Sequence, residues 1–84
     1  MEKKQIGTVM HYYGKIGVAV VKLDSEIKVG DNICIEGHGK SFAQKVSSMQ
    51  SEHKPINEAK AGEMVGLKVD QPVKEGDVIF RVEE

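Results

Sequence analysis

Gly39-Lys40-Ser41 is the tripeptide with which a phosphate-binding P-loop ends, and in that setting its lysine and serine would grip a nucleotide. The motif also needs a glycine five residues before Gly39, where Cys34 stands, and a helix after the serine, where Ser41-Phe42-Ala43-Gln44 reads as a strand. Nucleotide hydrolysis is therefore excluded. His11, His38 and His53 carry the imidazoles that zinc favours. His38 and His53 fall at opposite ends of one long strand, on the order of 40 Å apart if it is straight, so the three read as surface histidines and no metal is expected. Cys34, the one cysteine, lies in no nucleophile elbow or paired-carboxylate motif. A barrel this small lacks the deep pocket that shelters chemistry, so the chain is expected to have no catalytic residues and no cofactor.

Two stretches remain as candidate binding surfaces. In His11-Tyr12-Tyr13-Gly14-Lys15 the adjacent tyrosines of a strand must point to opposite faces. At most one belongs to a core, and the other offers a ring and a hydroxyl beside Lys15, a surface suited to a nucleotide base or to a protein. The second is a basic hairpin holding His38, Lys40, Lys45 and Lys54.

The elements that position these residues are short strands. Between Lys4 and Tyr13, Ile6, Thr8, Met10 and Tyr12 alternate with Gln5, Gly7, Val9 and His11, which predicts a strand, and Gly14-Lys15 predicts a two-residue turn. Ile16 to Leu23 is apolar on both faces, a pattern that favours burial on both sides through closure against neighbouring strands. Asn32 to Gly37 and Ser41 to Ser51 form a hairpin through Gly37-His38-Gly39-Lys40. Met49 is out of phase with Phe42, Gln44 and Val46, which predicts a β-bulge at Ser47-Ser48. Glu52 to Ala61, with Pro55, reads as a loop with room for one helical turn. Glu63 to Val69 and Asp77 to Val82 complete six strands. Lys28-Val29-Gly30-Asp31 and Lys74-Glu75-Gly76-Asp77 share the pattern Lys-x-Gly-Asp before an aliphatic run, the signature of a tight turn whose aspartate bonds nearby amides. The fold expected is all-β, a closed, six-stranded Greek-key barrel spanning residues 1–84.

Composition narrows the function. At 84 residues, with 39% hydrophobic residues, no tryptophan and two each of tyrosine and phenylalanine, the chain has a small aliphatic core. Twelve basic residues against thirteen acidic ones give a net charge of −1, and Arg81 is the one arginine, so the footprint of a dedicated nucleic-acid binder is missing. The lone cysteine fits a reducing cytoplasm, and no apolar stretch reaches the length of a bilayer span.

Asn57-Glu-Ala-Lys-Ala-Gly-Glu-Met-Val-Gly-Leu67, taken with Lys28-Val29-Gly30-Asp31, Val46-Ser47-Ser48-Met49-Gln50 and Gly76-Asp77-Val78-Ile79, resembles the second domain of translational GTPases, the β-barrel of elongation factor Tu and its relatives. The resemblance runs from Ile6-Gly7-Thr8-Val9 to Val82. It is closer still to small stand-alone elongation factor-like proteins and to the C-terminal barrel of a collagenase-like peptidase family, through His11-Tyr12-Tyr13-Gly14-Lys15-Ile16-Gly17-Val18-Ala19-Val20 and Gln44-Lys45-Val46-Ser47-Ser48-Met49-Gln50. The first resemblance implies a non-catalytic binding module without its GTPase domain, touching RNA, tRNA or the ribosome. The last implies an accessory barrel serving a partner enzyme, with the apolar second strand and Met10 or Met64 as its docking patch.

Overall fold

A computed structural model describes residues 2–37, 39–52 and 54–83, with the backbone alone at 2 and 83. Ten strands and no helix occur among them: β1 (Glu2–Tyr13), β2 (Val18–Leu23), β3 (Ile27–Lys28), β4 (Asn32–Gly37), β5 (Lys40–Lys45), β6 (Met49–Ser51), β7 (Lys54–Ile56), β8 (Glu58–Ala59), β9 (Met64–Lys68) and β10 (Val78–Glu83). Eight form an antiparallel sheet in the order β5-β4-β10-β1-β2-β9-β6-β7, and β3 pairs with β8 in a second, two-stranded sheet.

Strand β1 is the spine. Its register slips between Gln5 and Gly7 against β10, and between Val9 and His11 against β2. Each slip gives β1 one residue more than its partner and turns the following side chains to the other face. Ile6 and Val9, three apart, are thus both buried, at 0% and 1% exposure, a spacing that plain alternation forbids. The core beneath them is aliphatic, with Leu23, Ile33, Ile35, Leu67 and Ile79 at 1% or less. Burying each such side chain contributes about 1.5–3 kcal/mol.

The expected closed barrel of six strands is not what forms. The eight-stranded sheet has two ends, β5 and β7, with no ladder between them among the described residues. The long fourth strand is the reason. It breaks at 46–48, so that β5 pairs with β4 at one end of the sheet while β6 pairs with β9 near the other. The phase change between Val46 and Met49 is real, and both are buried at 1%, yet it marks a break in the strand rather than a bulge within it.

A side chain spans the resulting gap. Gln44, on β5, donates from Nε2 to the carbonyl of Lys68 at 2.8 Å and accepts the amide N–H of Asp70 at its Oε1 at 2.8 Å. An amide offers one donor and one acceptor group, as a peptide unit does, so Gln44 stands in for a missing strand residue. The segment expected to be a loop, 52–61, carries β7 and β8, because Ile56 pairs opposite Met49 and Ala59 opposite Ile27.

Three turns of one design end the connections. In Lys28-Val29-Gly30-Asp31 and Lys74-Glu75-Gly76-Asp77 the glycines take φ of 99° and 91°, and each aspartate Oδ2 accepts the amide of the lysine three residues earlier at 3.0 Å. Lys60-Ala61-Gly62-Glu63 is the third, with Gly62 at φ 89° and Glu63 Oε2 accepting from the Lys60 amide. A positive φ at the third position makes glycine the fitting residue, and the acid caps the turn.

Candidate functional site

The outward face of β2 is where the molecule leaves apolar surface open. Ala19, Val21 and Leu23 point into the core, while Val18 and Val20 alternate outward and are half-buried. They line a groove of about 480 Å³ with Tyr13, Ile16, Gln50, Ser51, Glu52, Met64, Val65 and Gly66. The second face of β2 is therefore not covered by closure against neighbouring strands, as its sequence favours. Ile16 is 60% exposed, Met64 52% and Tyr13 50%, three large apolar side chains around one concavity.

Each wall has a local cause. The turn after β1 spans 14–17 rather than two residues, closed by Gly17 N–H to the Tyr13 carbonyl at 3.0 Å, and it lifts Ile16 out of the sheet. The floor is Gly66, paired with Val20 on one side and Gln50 on the other. A Cβ there would lie 3.2 Å from Val18 Cγ1 and 3.4 Å from Gln50 Cγ, so the missing side chain is what gives the groove its depth. The far wall is β6 and the connection after it. Ser51 pairs with Lys54 across two intervening residues, and Glu52, the first of them, holds φ at 51°.

The first predicted surface divides. Tyr12 is half-buried and packs against the core, whereas Tyr13 lies in the groove, with its ring centroid 4.4 Å from that of His11 in an edge-on contact at 66°. His11 Nδ1 lies 3.2 Å from Glu75 Oε1. Lys15 is exposed in the 14–17 turn beside Ile16.

The lysines of the second surface do not gather there. Lys45 pairs with Asn32 at the end of the β4–β5 ladder and does not line the groove. Lys40 sits at the tip of the β4–β5 hairpin, opposite Gly37, and Lys54 is exposed on the edge strand β7. His38 and His53 lie outside the described residues. Met10 is 46% exposed but does not line the groove, whereas Met64 does.

Cys34 sits in a different environment. It is half-buried on β4, and its thiol donates to Glu36 Oε2 at 3.6 Å, while Lys3 Nζ forms an ion pair with the same oxygen. Burial first, and then the bond to Glu36, push the thiol's pKa above its ordinary value, which works against a nucleophilic thiolate. The Lys3 ammonium holds the Glu36 carboxyl below the usual range, and Lys3 is raised in turn by that carboxylate. Among the described residues, no three histidine, cysteine, aspartate or glutamate side chains converge as a metal site would require, and no helix is long and apolar enough to cross a membrane.

Ile16 begins the apolar second strand that the sequence offers as a docking patch, whereas Gln50, Ser51, Glu52 and Gly66 were not predicted as site residues. Gln50, Ser51 and Glu52 left no signal, because their place beside β2 depends on the strand break at 46–48.

With the groove, the open sheet and the Gln44 bridge defined, the molecule can be compared with known proteins. The C-terminal domain of a putative U32 peptidase of Geobacillus thermoleovorans superposes with a TM-score of 0.86 at 22% identity, covering 90% of this chain and 96% of that one. The fold is that of a U32 peptidase C-terminal domain. In sequence, the chain is 40% identical over 83 residues to an uncharacterized protease of Methanocaldococcus jannaschii, covering 98% of this chain and 20% of that protein. It is 27% identical over 85 residues to a collagenase of Porphyromonas gingivalis, covering 99% of this chain and 24% of the collagenase. The chain thus spans about a fifth to a quarter of the length of these relatives. No protein-family model matches it. These similarities lie on the collagenase-like side of the resemblance seen in the sequence and lend nothing to its translation-factor side.

Proposed function

We propose that this chain is a non-catalytic accessory module that docks onto the body of a U32-type peptidase through the apolar groove of Tyr13, Ile16, Val18, Val20 and Met64. The observation that carries the reading is the groove itself, lined by exposed large apolar residues, on a chain that matches about a fifth to a quarter of proteins named as a protease and a collagenase. An apolar patch with a polar rim is the ordinary mark of a protein interface. The strand edges are poor alternatives. Pro55 on β7 lacks an amide donor, and Lys40 and Lys45 flank the two ends of β5, so both discourage the addition of another strand. The raised pKa of Cys34, which works against a thiolate nucleophile, supports assigning any hydrolysis to the partner.

The test is capture from a lysate of the protein's own organism, with and without ribonuclease, at low and moderate salt, with identification of what binds. Recovery of a U32-type peptidase that survives ribonuclease and salt, and is lost with Met64→Lys or Ile16→Asp, supports docking. Recovery of tRNA or ribosomal components that vanish with ribonuclease or salt overturns it in favour of RNA association, because counterion release makes such binding steeply salt-dependent.

A further inference from the structure

The groove is apolar on its floor and on the β1–β2 side, and polar on one wall, where Gln50, Ser51 and Glu52 follow one another. Glu52 is the one charged residue that lines it, and it enters no ion pair among the described residues. Its backbone adds a second observation. Glu52 is the one non-glycine residue with a positive φ among those described, at 51°. That conformation suits glycine, asparagine or aspartate and is unfavourable for glutamate. A carboxylate is therefore held at the lip of an apolar concavity at a position where local backbone preference would choose another residue.

We infer that the groove selects a partner segment presenting an aliphatic or aromatic side chain with a lysine or arginine beside it. The apolar side chain would fill the space above Gly66, between Val18, Val20 and Met64, and the cation would meet Glu52 at the rim. Charge complementarity favours a cation over an acid at this lip, and the apolar surroundings strengthen the attraction relative to open water. Lys54 lies opposite Ser51 on the outer strand and does not line the groove, so its charge tempers the preference without reversing it. The inference rests on the docking role of the groove and specifies what that groove recognises.

The experiment is a titration of the isotope-labelled 84-residue chain, followed by amide and methyl resonances, with three acetylated, amidated peptides: Gly-Leu-Lys-Gly, Gly-Leu-norleucine-Gly and Gly-Leu-Glu-Gly. The expected result is a shift of the Ile16, Met64 and Gly66 resonances, with the lysine peptide binding about three- to tenfold more tightly than the norleucine peptide and the glutamate peptide weakest. Glu52→Gln should abolish the difference between lysine and norleucine by lowering the affinity for the lysine peptide. Glu52→Gly removes the charge and relieves the backbone, so it should lose the same preference while unfolding at a higher temperature. Equal binding of all three peptides, or an unchanged preference in Glu52→Gln, overturns the inference. Shifts that miss the groove overturn it as well. A peptidase that is still captured by Glu52→Gln but lost with Met64→Lys would retain the docking role and reject the cation, which separates the two failures.

Discussion

The two faces of β2 contain similar residues and have opposite fates. Ala19, Val21 and Leu23 are at 0–1% exposure in the aliphatic core, whereas Val18 and Val20 on the other face look out over Gly66 into a groove. Chemistry does not separate them, since valine occurs on both. The difference is what stands opposite: the aliphatic core on one side, and on the other an open concavity bordered by Gly66 and by Gln50 and Ser51 of β6. Apolar pattern therefore reports where burial is favourable, and only the arrangement of neighbours decides whether this chain provides it.

Substitutions can break that comparison. The largest effect is expected from the inward face: Leu67→Ala, at 0% exposure, should lower stability by about 3 kcal/mol in urea unfolding, through lost burial and the cavity left behind. The seam comes next. Gln44→Ala would strip partners from the Lys68 carbonyl and the Asp70 amide and should cost about 2 kcal/mol, with faster hydrogen exchange at Asp70 as the local readout. If it costs no more than an exposed substitution, the bridge does not hold the open sheet together.

The pH response is smaller and points the same way. The Cys34 pKa is raised in the fold, so above the ordinary thiol value of 9.0 the unfolded chain loses its proton first and stability falls. Cys34→Ala should flatten that decline between pH 8 and 10 in denaturant midpoints. Glu36 has the opposite sign: its depressed pKa contributes stability above the ordinary carboxylate value of 4.5 that is lost as pH falls through the folded value. Its pair with Lys3 is solvent-exposed, so Glu36→Gln should shift the acid limb only slightly. The smallest stability effect belongs to the outward face. Met64→Lys, at 52% exposure, should change stability by about 0.5 kcal/mol or less while removing docking, and a larger loss would mean that the groove is part of the core.

Much of the fold was legible residue by residue. The two Lys-x-Gly-Asp turns announced their positive-φ glycines and their capping aspartates, because that geometry is encoded within four residues. The third, Lys60-Ala61-Gly62-Glu63, follows the same logic with glutamate in place of aspartate. The Tyr12–Tyr13 division followed from strand alternation alone. The bulges in β1 did not, because Ile6 and Val9 both face inward only through the slip of register against β10 between Gln5 and Gly7.

The sequence by itself determined an all-β chain with an aliphatic core, the punctuation of its turns and the excess of apolar residues on β2. These depend on periodicity, turn chemistry and composition, which are local. Tertiary structure alone decided that the sheet stays open between β5 and β7, that Gln44 spans the seam, and that Tyr13, Ile16, Met64 and Glu52 meet around Gly66 while Lys45 does not line the groove. Those outcomes depend on which distant strands pair and in what register, and a one-residue slip in any of them would turn the groove's residues to the opposite face.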